Sequence, residues 1–273
     1  MISLVYCLMA LGLTLIYSVM RILNFTHGVL YMLGGYVIYY AVVKIGLPYP
    51  AGLVFSFLII GFLGILIYKG LLRHFRMNIL VCLIITLGLS SILENVAYII
   101  FSPYEKSVPS LSSKVVQGPL GVSLGAERLI VMCVALALMV ALFLLLNHTK
   151  PGRAMRAIAQ DTEAAMLQGV KAENIFLLGM FLASGLAGIA GGLMAPLFSI
   201  GPFVGTEMVM NSFNVILVGG VGSMAGAVLG SFVVGLITSI SMTFLSGDVG
   251  TMIIFAFLIL ILILRPRGLL SGV

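Results

Sequence analysis

Charge is what this sequence has least of. Charged residues fill 8% of its 273 positions, against about a quarter in a soluble domain. So few cannot coat a globule in water, which excludes an ordinary soluble fold. Segments of roughly ten residues with alternating polarity are also missing, which excludes a closed membrane barrel. The formal net charge is +6, but no clustered basic face with interleaved aromatics carries it, so a nucleic-acid surface is not expected. Cys7, Cys82 and Cys133 lie inside apolar runs without metal-ligand spacing. They read as buried free thiols, and no metal site is expected. No G-x-x-x-x-G-K-[ST] loop occurs, so the chain is not expected to bind or split ATP or to be a catalyst itself. The first apolar segment has neither a basic start nor a small-residue cleavage site, and reads as a retained span rather than a signal peptide.

What is there in quantity is apolar. Hydrophobic residues make up 62% and the mean hydropathy is +1.26. Glycine is abundant, with 32 residues, which suits helices packed backbone to backbone in a bilayer. A crossing helix needs about 20 apolar residues. Runs of that kind occupy 2–20, 28–45, 51–69, 79–101, 128–147 and 175–198. The stretch 207–246 has room for two shorter passes, and 249–264 holds a last one. The expected fold is therefore all-α: a polytopic transmembrane bundle of about eight spans, nine if a short or broken segment near 207–222 crosses.

Basic residues in short loops set the orientation, because lysine and arginine accumulate on the cytoplasmic side. Lys69, Arg73 and Arg76 share one loop, Lys150, Arg153, Arg156 and Lys171 another, and Arg265 and Arg267 follow the last span. These stretches, and the C-terminus with them, are expected in the cytoplasm. The loop 102–127 mixes Lys106 and Lys114 with Glu105 and Glu127, carries Pro103, Pro109 and Pro119, and is expected outside. Arg21 then falls at the cytoplasmic end of the first span.

The segment 148–174 is too long for a simple connector. Within it, "RAMRAIAQDTEAAMLQGV" alternates apolar and polar groups at helical spacing. Met155, Ala157, Ile158, Ala165 and Met166 fall on one face, while Arg153, Arg156, Gln160 and Glu163 offer charge and polarity. Asp161 or Thr162 caps a second short helix, Glu163 sits in its first turn, and Gly169 ends it. Two short surface helices are expected. The competing reading is a single amphipathic helix lying on lipid headgroups, which the many alanines oppose.

Here the sequence resembles a family. "EAAMLQG" is similar to the EAA---G loop of bacterial ABC-transporter permeases, through Glu163, Ala164, Ala165 and Gly169. The wider context from Gly152 to Gly169, the opening "GLTLIY…RILNFTHG" from Gly12 to Gly28, and "LVGGVGSMAGAVLG" from Leu217 to Gly230 resemble branched-chain amino-acid permeases of LivH type. The likeness runs through nearly the whole chain in order; the longer I-x-L-P continuation of the general EAA pattern is absent. The resemblance implies one permease domain over 1–273, in a bacterial inner membrane, with a cytoplasmic coupling loop at 148–174. It implies two ATP-binding subunits, a second permease subunit, identical or homologous, and an extracytoplasmic substrate-binding protein as partners. No cofactor is implied in this chain, since ATP belongs to the partner subunits. In that loop Gly152, Arg153, Arg156, Glu163, Ala164, Ala165 and Gly169 are the candidate coupling residues. The implied cargo is hydrophobic, branched-chain amino acids. Urea, amides or another small solute remain the alternative within the family, and a channel or secondary transporter with two broken helices the alternative outside it.

Paired glycine-interrupted segments in the two halves of a transporter point to a binding region, by analogy with secondary transporters. The pair here is "RILNFTHGVLYMLGG" and "NSFNVILVGGVGSMAG". Asn24, Thr26 and His27 precede a helix start near Gly28, whose free N–H groups attract a carboxylate. In the second segment Asn211 and Asn214 precede Gly219 and Gly220, which allow the backbone to open. These eight are the candidate pathway residues. Local capping of the second span is the competing reading of Asn24 and His27. Gly222, Gly226 and Gly230 recur every four residues and read as a helix-packing face. Glu94 and Glu207 read most simply as interfacial acids near the outer surface.

Overall fold

The computed structural model describes residues 1–110, 115–117, 123–244, 247–266 and 268–270. The expected Lys114, Pro119 and Arg267 lie outside them. The chain runs through α1 (Ile2–Met20), α2 (Thr26–Ile38, continued by a π-helical turn over Tyr39–Lys44) and α3 (Tyr49–Ile67, continued by a second π turn over Tyr68–Leu72). Then come α4 (Arg73–Phe75), α5 (Ile79–Phe101), α6 (Ala126–His148), α7 (Lys150–Gln160), α8 (Thr162–Leu167), α9 (Ala172–Met194), α10 (Val204–Gly219), α11 (Met224–Phe244) and α12 (Gly247–Leu264). Between α5 and α6 a small antiparallel hairpin pairs β1 (Val115–Gln117) with β2 (Ser123–Gly125), Val116 opposite Leu124.

Seven described helices are long and apolar enough to cross a membrane, and Val249–Leu264 is a shorter apolar one. The region 207–246 resolves into α10 and α11. With 16 residues, α10 is about 24 Å long at 1.5 Å per residue, short of a bilayer core of about 30 Å. The second span begins at Thr26, ahead of Gly28, because the Asn24 side chain takes the Thr26 N–H.

Close backbone approach builds the centre. A Cβ placed on Gly34 would lie 2.2 Å from the Gly188 carbonyl oxygen, and one on Gly191 1.9 Å from that of Tyr31. Without side chains there, α2 lies directly against α9. Ser56 on α3 donates to the carbonyls of Gly188 (2.9 Å) and Gly34 (3.3 Å), joining three helices through one hydroxyl. In hydrocarbon such bonds and close packing replace the hydrophobic force that gathers helices in water. α1 completes the centre against α9, α10 and α11.

The contacts sort the loops onto two ends. At one, Arg73 pairs with Glu173 at 3.1 Å, Arg76 lies over the Phe176 ring, and Arg21 donates to the Ala159 carbonyl. At the other, Lys106 and Ile200 exchange backbone hydrogen bonds, and Ser199 donates to Glu105. The basic stretches that are described thus share the end that carries α7 and α8. Cys7 and Cys82 are buried as expected, but Cys133 is exposed, because α6 belongs to the rim of the bundle.

Candidate functional site

The polar segment between α1 and α2 is built in steps. Arg21 ends α1 in the left-handed region (φ 56°), its N–H still bonded to the Tyr17 carbonyl. Its guanidinium reaches the Ala159 carbonyl of α7 at 3.1 Å. The chain then leaves the helix through Ile22, Leu23 and Asn24 and re-enters one at Thr26. Asn24 Oδ1 accepts the Thr26 N–H at 3.1 Å, and Thr26 Oγ1 donates to the Thr86 carbonyl at 3.1 Å. Thr86 stands seven residues into α5 from Ile79, about 10 Å along it. The α2 N-terminus therefore opens inside the bundle, not at its surface.

Asn24, Thr26 and His27 are fully buried. Among the described residues the Asn24 Nδ2 has no partner, and the His27 ring faces the Met9 backbone without either nitrogen reaching a partner at hydrogen-bond geometry. Buried polar groups are seldom left so. Gly12 makes room for this imidazole: a Cβ there would lie 2.9 Å from His27 Cε1 and Nε2. Gly28 meets Gly205 at the start of α10, where a Cβ would come 2.2 Å from the Gly205 oxygen. Neither Gly12's task nor Gly205's was visible in the sequence, although Gly12 opens the motif that ends at Gly28.

The second segment touches the first where Phe25 stacks on Phe213, ring centroids 4.5 Å apart. Asn214, the next residue, is buried. Asn211 donates to the Tyr6 hydroxyl at 3.0 Å. Gly219 closes α10 and packs on Gly226, and Gly220 turns the backbone out of the helix at φ 110°. This break lies near the α7–α8 end, since Ser18 of α1 donates to the Gly222 carbonyl nearby. The packing face of three glycines needs correction. Gly226 and Gly230 do face backbone, of Gly219 and Val215, but Gly222 stands in the turn before α11 at φ 84°. Its spacing imitates a helical repeat, while its backbone uses the left-handed region that favours glycine.

Both short helices form. Thr149 accepts the Gly152 N–H and caps α7, which folds back so closely that a Cβ on Gly152 would lie 2.1 Å from the Leu145 oxygen. Met155 and Ile158 are buried, Arg153 is exposed, and Arg156 donates to Asn147. Asp161 caps α8 by accepting from the N–H groups of Glu163 and Ala164. Gly169 ends it at φ 84°, its N–H bonded to the Met166 carbonyl. Ala165 packs inward. Met166 does not share its face, as expected from the spacing, but points outward with Leu167, because Asp161 restarts the helix and resets its phase. Glu163, Ala164, Met166 and Leu167 thus form an exposed tip. Glu94 also differs from expectation: it is buried and takes a hydrogen bond from Thr206. Among the described residues no three His, Cys, Asp or Glu side chains gather as a metal site would require.

Two cavities accompany these elements. One of about 870 Å³ lies between α1, α6, α7 and α11, apolar along Leu15, Met139, Phe143 and Leu229 and polar at Arg156 and Gln160. The other, about 300 Å³, lies at the opposite end between α1, α2, α9 and α10.

The chain is a many-span helical bundle with an internal helix start and a capped surface loop, and its relatives make it a membrane protein of the permease class. The chain belongs to the family described as "Branched-chain amino acid transport system / permease component", which it matches over residues 1–263. It is 30% identical to the high-affinity branched-chain amino acid transport system permease protein LivH of Escherichia coli, over 97% of this chain and 91% of that one. It is 29% identical to BraD of Pseudomonas aeruginosa, with the same coverage. A probable LivH of Methanocaldococcus jannaschii is 30% identical over 89% of this chain and 79% of its own. No solved structure matches the chain significantly.

Proposed function

We propose that this chain is the permease subunit of an ABC importer that carries hydrophobic, branched-chain amino acids across a bacterial inner membrane. An extracytoplasmic binding protein delivers the substrate, a second permease subunit completes the path, and two ATP-binding subunits drive it. The observation that carries this reading is the exposed α8 tip, held on the basic end of the bundle by the Thr149 and Asp161 caps. Its side chains Met166 and Leu167 are unusually bare for an aqueous surface (Leu167 is 89% exposed) and suit insertion into a groove of an ATPase. On this reading that end and the C-terminus are cytoplasmic. Gly152, Arg153, Arg156, Glu163, Ala164, Ala165 and Gly169 transmit the ATPase motion. The Arg21–Ala159 bond supports a direct line from α7 to the start of the path at Asn24, Thr26, His27 and Gly28. Asn211, Asn214, Gly219 and Gly220 belong to the same path. ATP chemistry is delegated to the partners.

Glu163→Lys or Gly169→Asp is expected to abolish uptake and substrate-stimulated ATPase activity, with the amount of inserted permease unchanged. Gly169→Asp is the harsher change, since a side chain at φ 84° is strained. Normal ATPase copurification together with unimpaired transport would overturn the docking assignment. Binding of leucine, and not urea, by the cognate extracytoplasmic protein is the expected result for the substrate.

A further inference from the structure

The cavity of about 300 Å³ at the end away from α7 and α8 is used by nothing described so far. Its volume stands at the small end of ligand pockets, roughly 300–1,000 Å³. Its polar wall is Tyr6, Tyr31, Glu105, Ser199 and Glu207. No described lysine, arginine or histidine pairs with either carboxylate. Lys106, next to Glu105, places its ammonium over the Tyr39 ring instead. Ser199 donates to Glu105 and fixes that carboxylate at the rim. Tyr31 is only 6% exposed, yet its hydroxyl has no hydrogen-bond partner among the described residues. The Tyr6 hydroxyl accepts from Asn211 and lies beside the Thr238 hydroxyl, whose own proton goes to the Val234 carbonyl. The rest of the lining is apolar and includes Met32, Met194, Ile200 and Met208.

We infer that this cavity is a recognition site for an amino acid with an apolar side chain, distinguished by its ammonium group. The inference rests on the reading of the chain as an amino-acid permease. Glu207 and Glu105 take the ammonium through charge-assisted hydrogen bonds. The Tyr31 hydroxyl donates to the substrate carboxylate, which would otherwise meet two like charges unscreened. Methionine side chains adapt their shape, so valine, leucine and isoleucine fit the apolar part of the lining. A carboxylic acid without the amine is repelled, and urea fills neither part.

The test is binding of radiolabelled leucine to the assembled importer in nanodiscs, without the binding protein, with 3-methylbutylamine, 4-methylpentanoate and urea as competitors. The amine is expected to displace leucine, while the acid and urea are not. Glu207→Gln keeps shape at an exposed position and is expected to weaken leucine by about tenfold or more, the loss of one charge-assisted hydrogen bond. Tyr31→Phe, which removes only an unpartnered hydroxyl, is expected to weaken it several-fold. Copurified ATPase subunits verify assembly of both variants. Displacement by the acid as effective as by the amine, or wild-type affinity in both variants, overturns the inference. ATP-driven leucine uptake into proteoliposomes with the binding protein separates the two readings. Uptake without leucine binding to the wild-type cavity removes this site and leaves the permease reading standing. Absence of uptake for any amino acid removes the permease reading itself.

Discussion

α1 and α5 have the same mean hydropathy, 2.1, yet 78% of the α1 window is buried and only 17% of the α5 window. Nothing in apolarity separates a central helix from a peripheral one, because lipid tails are as apolar as leucine. The difference lies in the surfaces they meet. α1 meets α9 at its own Gly12, where a Cβ would lie 3.1 Å from the Ala183 carbonyl oxygen, and α11 at Gly235, where one would lie 2.3 Å from Ser3 Oγ, while Gly188 and Gly191 of α9 let α3 and α2 close in. α5 offers Gly88, around which a Cβ would find nothing within 4 Å. Its outward residues, such as Leu80, Ile84 and Ile99, are large and exposed. Hydropathy decides that a helix leaves water. Small residues decide which helix becomes the centre.

The strongest way to break that distinction is Gly191→Val. A Cβ at this position meets backbone, not the movable end of a side chain, at 1.9 Å from the Tyr31 oxygen. α2 must move away from α9, at a cost beyond the ~1–3 kcal/mol usual for overpacking. The expected outcome is loss of folded permease, read as disappearance of a monodisperse peak in detergent chromatography. A normal peak would mean that α2 and α9 do not touch as described.

How much of this was legible follows the range of the interactions. The two short helices were legible, because Asp161 and Gly169 act within four positions of themselves and obey capping rules, while the Thr149 cap of α7 and the outward turn of Met166 were missed. The bundle class followed from composition alone. The centre did not, since Gly28 against Gly205 and Gly191 against Tyr31 join glycines to backbone far away in sequence, and no local rule announces the partner. Gly222 was misplaced because a four-residue repeat does not reveal that the helix begins only at Met224. The cavity wall was missed for a related reason. Tyr6 and Tyr31 sit in apolar runs, and only the fold brings Glu105 and Glu207 toward them.

The next effect concerns the polar centre. Asn24→Leu removes the acceptor for the Thr26 N–H, a capping loss of about 1 kcal/mol, and deletes the unpartnered amide. His27→Ala empties the space that Gly12 leaves for the ring. Both are expected to reduce uptake by about tenfold, the equivalent of 1.4 kcal/mol, with the importer assembled. Gly12→Ala should mimic His27→Ala, because its methyl displaces the same imidazole. Wild-type transport kinetics in Asn24→Leu and His27→Ala would assign the segment to holding the helix start alone.

The smallest effect sharpens the comparison from the other side. Gly88→Val puts a larger side chain where the chain itself offers no obstacle, and substitutions away from packed features usually stay within about 0.5 kcal/mol. The isolated permease is expected to show unchanged thermal stability in detergent. The same variant in the assembled importer carries more information, because the second permease subunit of the proposed function needs an apolar surface to meet. Unchanged assembly assigns the bare α5 face near Gly88 to lipid. Assembly lost while the isolated chain stays folded assigns that face to the partner permease, and α5 is then peripheral only within its own subunit.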